Sequence, residues 1–214
     1  MRTKENELYK KQLKLTSIQR QVLVGLLLGD GHLESMSAGR TYRLKAEYSK
    51  KQEDYLLWIW NIFREWTRTP PRTQKRELSS GAIIETIEFT TYSHGAFRFY
   101  ARQFYKDGKK VIPKTIGKLL TPLGLAVWFM DDGSWKSNYH RTFIIHTDGY
   151  TKKDLSVILD VFKKQFDIDI ALHKQYERWR IYVKTKSAQK FRQLIEPHII
   201  PLMGYKLGNT MPKK

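Results

Sequence analysis

Two stretches of the chain are apolar on every side: residues 21–31 (QVLVGLLLGDG) and residues 123–133 (LGLAVWFMDDG), each closing on an acid followed by glycine. Such uninterrupted runs predict buried helices rather than half-exposed ones. Thr16 with Gln19 can close a capping box ahead of the first, and Thr121 followed by Pro122 supplies an N-cap and first-turn pair for the second. Further on, Tyr55, Trp58, Ile59, Ile62 and Trp66 in one half, and Leu155, Ile158, Leu159, Phe162 and Phe166 in the other, follow the i, i+3, i+4, i+7, i+11 stripe of an amphipathic helix. Alternation predicts strands over about 42–48, 82–92, 141–147 and 178–186, with further helices over about 94–105 and 187–197.

The same order of elements occurs twice, so the chain reads as an approximate internal repeat with an αββα-like plan in each half. The segment from Lys106 to Lys110, followed by Pro113 and Gly117, interrupts the apolar periodicity and marks the joint. The halves are expected to be residues 1–116 and 117–214.

Charge adds a partner to this plan. The 214 residues carry 39 Lys and Arg against 21 Asp and Glu, a formal net charge of +18 that suits a polyanion. With 41% hydrophobic and 13% aromatic residues the chain has ample material for a core. The absence of cysteine excludes disulfide frameworks, thiolate zinc sites and cysteine nucleophiles, and fits an intracellular location, cytoplasm or organelle. The six histidines form no close pair with metal-ligand spacing. The apolar run Val22 to Leu28 is too short to span a bilayer, so no membrane partner is expected.

The strands place the charge. Alternation sets Tyr42, Leu44, Ala46 and Tyr48 on one face and Arg43, Lys45 and Glu47 on the other. In residues 178–186, Trp179, Ile181 and Val183 oppose a basic ladder of Arg178, Arg180, Tyr182, Lys184 and Lys186. Thr86, Glu88, Thr90 and His146 extend these polar faces. One such face alone would read as an ordinary solvated sheet, but the design occurs in both halves. A curved polar sheet suits the major groove of double-stranded DNA, where such side chains can read base edges. Arg72, Lys75 and Arg76, in what reads as a loop over 69–76, would add phosphate contacts.

The two acids, Asp30 and Asp132, are candidates for the chemistry. Each sits at the expected C-terminal end of an apolar helix, where the macrodipole disfavours a carboxylate by roughly 0.3–1 kcal/mol. An acid beside glycine is ordinarily a helix stop, and the repetition is what argues otherwise. If the helices pack side by side, with Gly25 allowing close approach, the carboxylates meet and call for a cation; Mg²⁺, with Mn²⁺ as a substitute, takes carboxylates, water and phosphate oxygens. Such a site can hydrolyse a phosphodiester, one acid for each strand of a duplex. Lys110 and Lys206, late in each half and at similar distances from the acids, could orient water or offset phosphate charge.

The nonapeptides at residues 23–31 (LVGLLLGDG) and 125–133 (LAVWFMDDG) resemble the motif of the LAGLIDADG homing endonucleases, specifically their single-chain, two-motif members. The likeness extends from about residue 17 to Thr210, with Leu28, Val127 and Trp128 departing from the motif. It implies an α/β protein of two αββαββα halves whose antiparallel sheets form a saddle over DNA, with the two motif helices at the centre. It also implies Asp30 and Asp132 as metal-binding acids, backbone help from Gly29 and Asp131, and Lys110 and Lys206 as active-site lysines in a monomeric endonuclease. Alternatives are a maturase that binds intron RNA, and a DNA-binding regulator that no longer cuts, which should lack one acid. An intein-embedded form is disfavoured by the Met1 start and the lack of cysteine. Paired acids also suit a sugar hydrolase, which would not call for so large a positive charge.

Overall fold

The structure, a computed structural model, describes residues 4–208. Asn209 and Thr210, the end of the motif-like likeness, therefore lie outside the described residues. The chain divides into two compact units, one formed by residues up to Arg20 with Asp30–Ala101, the other by Gln21–Gly29 with Arg102 onward.

In the first unit, α1 (Lys4–Gln12) precedes the start of α2 (Ser17–Leu28), whose last eight residues belong to the second unit. Then follow β1 (His32–Glu34), β2 (Arg43–Ser49), α3 (Glu53–Ile62), β3 (Arg72–Glu77), β4 (Ile83–Thr90) and α4 (Arg98–Phe104), whose residues from Arg102 onward belong to the second unit. The strands form one antiparallel sheet in the order β1-β2-β4-β3. The expected capping box is present: Gln19 N donates to Thr16 Oγ1, and Thr16 N to Gln19 Oε1 at 3.0 Å. The amide of Gln19 is itself buried, because Oε1 also accepts from Trp66 Nε1 and Nε2 donates to Ile62 O.

The second unit contains a short hairpin, β5 (Tyr105–Lys106) and β6 (Lys109–Lys110), then α5 (Ile116–Leu119) and α6 (Pro122–Asp132). There follow β7 (Gly133–Trp135), β8 (Phe143–His146), α7 (Lys152–Phe166), β9 (Ile170–Gln175), β10 (Arg178–Val183) and α8 (Thr185–Ile195). Its sheet order, β7-β8-β10-β9, is that of the first unit. The internal repeat is therefore one of topology. Phe129, Phe143, Phe162 and Phe191 meet ring to ring in its core, at centroid distances of 5.2 to 6.3 Å.

Several sequence expectations are corrected. Residues 72–77 are not loop but the strand β3, in register Arg72↔Glu88 through Glu77↔Ile83. Almost all of β3 is exposed, so it carries no apolar alternation, and only the free edge of β4 makes it a strand. The basic ladder ends at Val183; Lys184 precedes α8 and Lys186 lies within it, ion-paired to Asp169 at 2.8 Å. The strand expected from residue 141 begins at Phe143, since Arg141 has a left-handed φ of 44°. Trp66 lies beyond α3, and burial on that helix falls on Tyr55, Leu56 and Ile59. Val161, outside the expected stripe of α7, is buried beside Leu155, Ile158, Phe162 and Phe166.

Candidate active site and nucleic-acid interface

The apolar runs of both helices, Val22 to Leu28 and Gly124 to Met130, are buried on every side, as their sequences require, while the first turn of α2 is exposed at Ile18. Within the second unit they meet at glycine: a Cβ at Gly25 would collide with the carbonyl oxygen of Gly124 and stand 2.6 Å from Cβ of Val127. The motif departure at Val127 is thus absorbed by a glycine on the facing helix. A Cβ at Gly29 would likewise meet the Asp131 carboxylate.

Close approach brings the ends of both helices into one neighbourhood of polar backbone. Helix ends leave carbonyls without intrahelical partners. Lys110, placed by the β5–β6 hairpin whose turn residues Asp107 and Gly108 have φ of 50° and 75°, donates from Nζ to the carbonyl of Gly29. Lys206, on a 3₁₀ stretch over Pro201–Leu207, donates from Nζ to the carbonyls of Met130 and Asp131, the latter at 2.8 Å. Tyr150 donates its hydroxyl to the carbonyl of Leu28 at 2.9 Å. Burial pushes the Tyr150 phenol well above its ordinary range, with Asp132 adding to the effect, so it remains a neutral donor. Two cations thus sit at helix C-termini, where the macrodipole is negative and favours them.

The acids differ in setting. Asp132 is the last residue of α6, whereas Asp30 lies two residues beyond the end of α2. Trp128, one turn before Asp132, donates from Nε1 to Oδ2 at 3.1 Å. A 260 Å³ cavity in the second unit is lined by Gly29, Lys110, Asp132, His146, Asp148 and Tyr150, among others. His146 Nε2 lies 3.0 Å from Ser134 Oγ, and burial followed by the Arg180 charge lowers the histidine below its ordinary value, so it is neutral at neutral pH.

The polar sheet faces are more tightly organised than alternation suggested. In the first unit Lys45, Glu47, Thr86, Glu88 and Thr90 share one face of β2 and β4, joined by Arg72 and Arg76 of β3. Arg43 pairs with Glu34 at 2.6 Å, and Lys75 pairs with Glu85 on the opposite face of β3 and β4. In the second unit Asp148 holds Arg178 at 3.2 Å and Arg180 at 3.3 Å, and is kept below its ordinary carboxyl value because their hydrogen bonds and charges outweigh burial. Tyr182 stacks on His173 with centroids 4.2 Å apart, and Lys136 Nζ lies 4.9 Å from the same ring. Trp128, Ser134, Asp148 and Tyr150 were not anticipated. Of these only Trp128 had a signal in the sequence, its i, i+4 spacing from Asp132.

A sequence profile of the LAGLIDADG DNA endonuclease family matches residues 20–191. The chain belongs to this family. A probable intron-encoded endonuclease of Wickerhamomyces canadensis is 30% identical over 205 residues, covering 93% of this chain and 88% of that protein. A cytochrome b mRNA maturase, bI2, of Debaryomyces hansenii is 28% identical over 196 residues, covering 89% and 74%. Among solved structures, the homing endonuclease I-WcaI bound to its DNA recognition sequence is similar with a TM-score of 0.89 at 28% identity, covering 96% of this chain and 92% of that one. The mixed α/β class with antiparallel sheets, expected from the family motif, is the observed fold.

Proposed function

We propose that this protein is a homing endonuclease that makes a sequence-specific double-strand break in a long DNA target by metal-dependent phosphodiester hydrolysis. The observation that carries this reading is the repeated arrangement at the motif ends, an acid (Asp30, Asp132) beside a backbone carbonyl that a lysine (Lys110, Lys206) engages. Two such sets suit a substrate with two strands. In this reading residues 1–116 and 117–214 are the two repeats, each presents its sheet to duplex DNA, and the protein acts as a monomer.

Each motif end offers hard oxygens, the Asp30 carboxylate next to the Gly29 carbonyl and the Asp132 carboxylate next to the Asp131 carbonyl. Among the described residues no cluster of three or more His, Cys, Asp or Glu side chains stands ready for a metal. That composition fits Mg²⁺, or Mn²⁺ in its place, which retains waters and takes substrate phosphate oxygens rather than a full protein cage. When bound, the cation would supply polarisation of the scissile phosphate and stabilisation of the leaving oxygen. Trp128 orients the Asp132 carboxylate, and Lys110 and Lys206 offer positive charge to the developing phosphate charge. Arg72, Arg76, Arg178 and Arg180 would contact DNA from the sheets. Cytoplasm or organelle interior is the compartment this reading expects, and no helix among the described residues is long and apolar enough to cross a membrane.

The test is recovery of cleaved molecules from a randomised duplex library with Mg²⁺, wild type beside Asp30→Asn and Asp132→Asn. Enrichment of one long site by wild type alone, with DNA binding retained in both variants, is the expected result. Full activity in either variant would remove the mechanism. The maturase relative favours a second reading, assistance to intron RNA splicing; tight RNA binding without duplex cleavage, compared at one stated salt concentration, would select it.

A further inference from the structure

The polar face of the first unit contains a buried acid. Glu88 lies in β4, between β2 and β3, and is only 3% exposed. Its Oε1 accepts from Arg72 Nε at 3.0 Å, from Arg72 Nη2 at 2.8 Å and from Gln74 Nε2 at 2.5 Å. Lys45 Nζ stands 3.0 Å from Glu88 Oε2 and 3.1 Å from Glu47 Oε2. Register sets Glu47 and Glu88 directly opposite each other, an arrangement of like charges that is unfavourable unless a cation intervenes. Lys45 is that cation.

So deep a carboxylate offers nothing to a base edge. Its partners do, since the Arg72 side chain is 74% exposed although its guanidinium is tied down at two nitrogens. Burial acts to raise the Glu88 carboxyl, and the hydrogen bonds and charges of Arg72 and Lys45 outweigh it, keeping the group ionised. Glu47 in turn accepts from Thr86 Oγ1 at 2.9 Å and stands 3.5 Å from Arg76 Nη2, so the network runs across all three strands.

We propose that Glu88 is a specificity-determining positioning residue, which fixes Arg72, Gln74 and Lys45 as one coupled group so that the base pairs they face are read together. The proposal rests on the reading above that this sheet contacts DNA. It replaces the sequence expectation that Glu88 reads a base itself.

The experiment is the cleavage selection on the randomised library, applied to wild type, Glu88→Gln, Arg72→Gln and the double variant, with thermal melting as a check of folding. Glu88→Gln is expected to lose about 10-fold in discrimination over a contiguous block of base pairs on one side of the target, the size expected when a directed contact is disordered, and to leave the other side unchanged. Arg72→Gln should weaken part of the same block, and the double variant should lose less than the product of the two effects. An unchanged profile for Glu88→Gln, a loss spread evenly over the site, or multiplicative effects would overturn the proposal. If Glu88→Gln does not fold, Arg72→Gln with Gln74→Ala on the exposed strand β3 measures the same coupling, and independence of those two would overturn it. Failure of wild type to recover any site would instead overturn the endonuclease reading.

Discussion

Trp128 Nε1 donates to Asp132 Oδ2 across 3.1 Å from one turn earlier on the same helix, with the indole buried completely. The hydrogen bond fixes one carboxylate oxygen and with it the orientation of the group. Trp128→Phe keeps most of the packing volume and removes the donor. Hydrogen bonds to charged groups contribute about 1.5–3 kcal/mol, so cleavage by the set containing Asp132 should slow roughly 10- to 100-fold. On a supercoiled plasmid bearing the selected target, nicked circles should accumulate. Equal slowing of both strands, with no nicked intermediate, would count against an orienting role confined to Asp132.

Lys110 and Lys206 engage carbonyls next to the two acids in sequence. Lys110→Met and Lys206→Met retain the apolar stem and delete the charge. Each should reduce single-turnover cleavage by about 100-fold, the order found when one electrostatic stabiliser of a transition state is lost. DNA affinity should change little. A variant that binds weakly yet cuts bound DNA at the wild-type rate would place its lysine in binding rather than chemistry.

Acid should loosen the sheets in a defined window. Hydrogen bonds and charges hold Glu47 and Glu88 below the ordinary value of 4.5 against the opposing effect of burial, and Asp148 below 3.8. In that window the unfolded chain binds more protons than the folded one, so stability rises with pH there. The contribution should be complete above about pH 4.5 and be lost as pH falls through the lowered folded values. Thermal melts between neutral pH and pH 3 should show the melting temperature falling only below that point, and Glu88→Gln should flatten the fall. A decline already complete near pH 6 would assign acid sensitivity to histidines instead.

The buried helices were legible because Val22 to Leu28 and Leu125 to Met130 have no polar face to present, so only burial fits them. The strand β2 was legible because Leu44, Ala46 and Tyr48 alternate with charged residues. β3 was not, since both its faces are largely exposed and its pairing is decided by the edge of β4, which no local pattern records. The acids could be picked out by repetition. Tyr150 and Asp148 could not, because their partners, the Leu28 carbonyl and the arginines of β10, are brought to them only by the folded chain. Charged alternation showed which face was polar; it could not show that Glu88 is buried within that face by its neighbours.

The helix crossing gives the sharpest stability test. At Gly25 an added Cβ would meet both the backbone oxygen of Gly124 and the side chain of Val127. A carbonyl on a packed helix cannot turn aside as a flexible side chain can, so Gly25→Ala must separate the helices. Overpacking of this kind costs typically 1–3 kcal/mol, and a backbone clash belongs at the upper end. For a chain of this size that should lower the melting temperature by roughly 5–10 °C. Val127→Gly in the same chain removes the side-chain collision and leaves the carbonyl, so it should restore only part of the loss. Full restoration would show that Val127 alone sets the approach of the helices, and no loss in Gly25→Ala would show that they do not pack at this glycine at all.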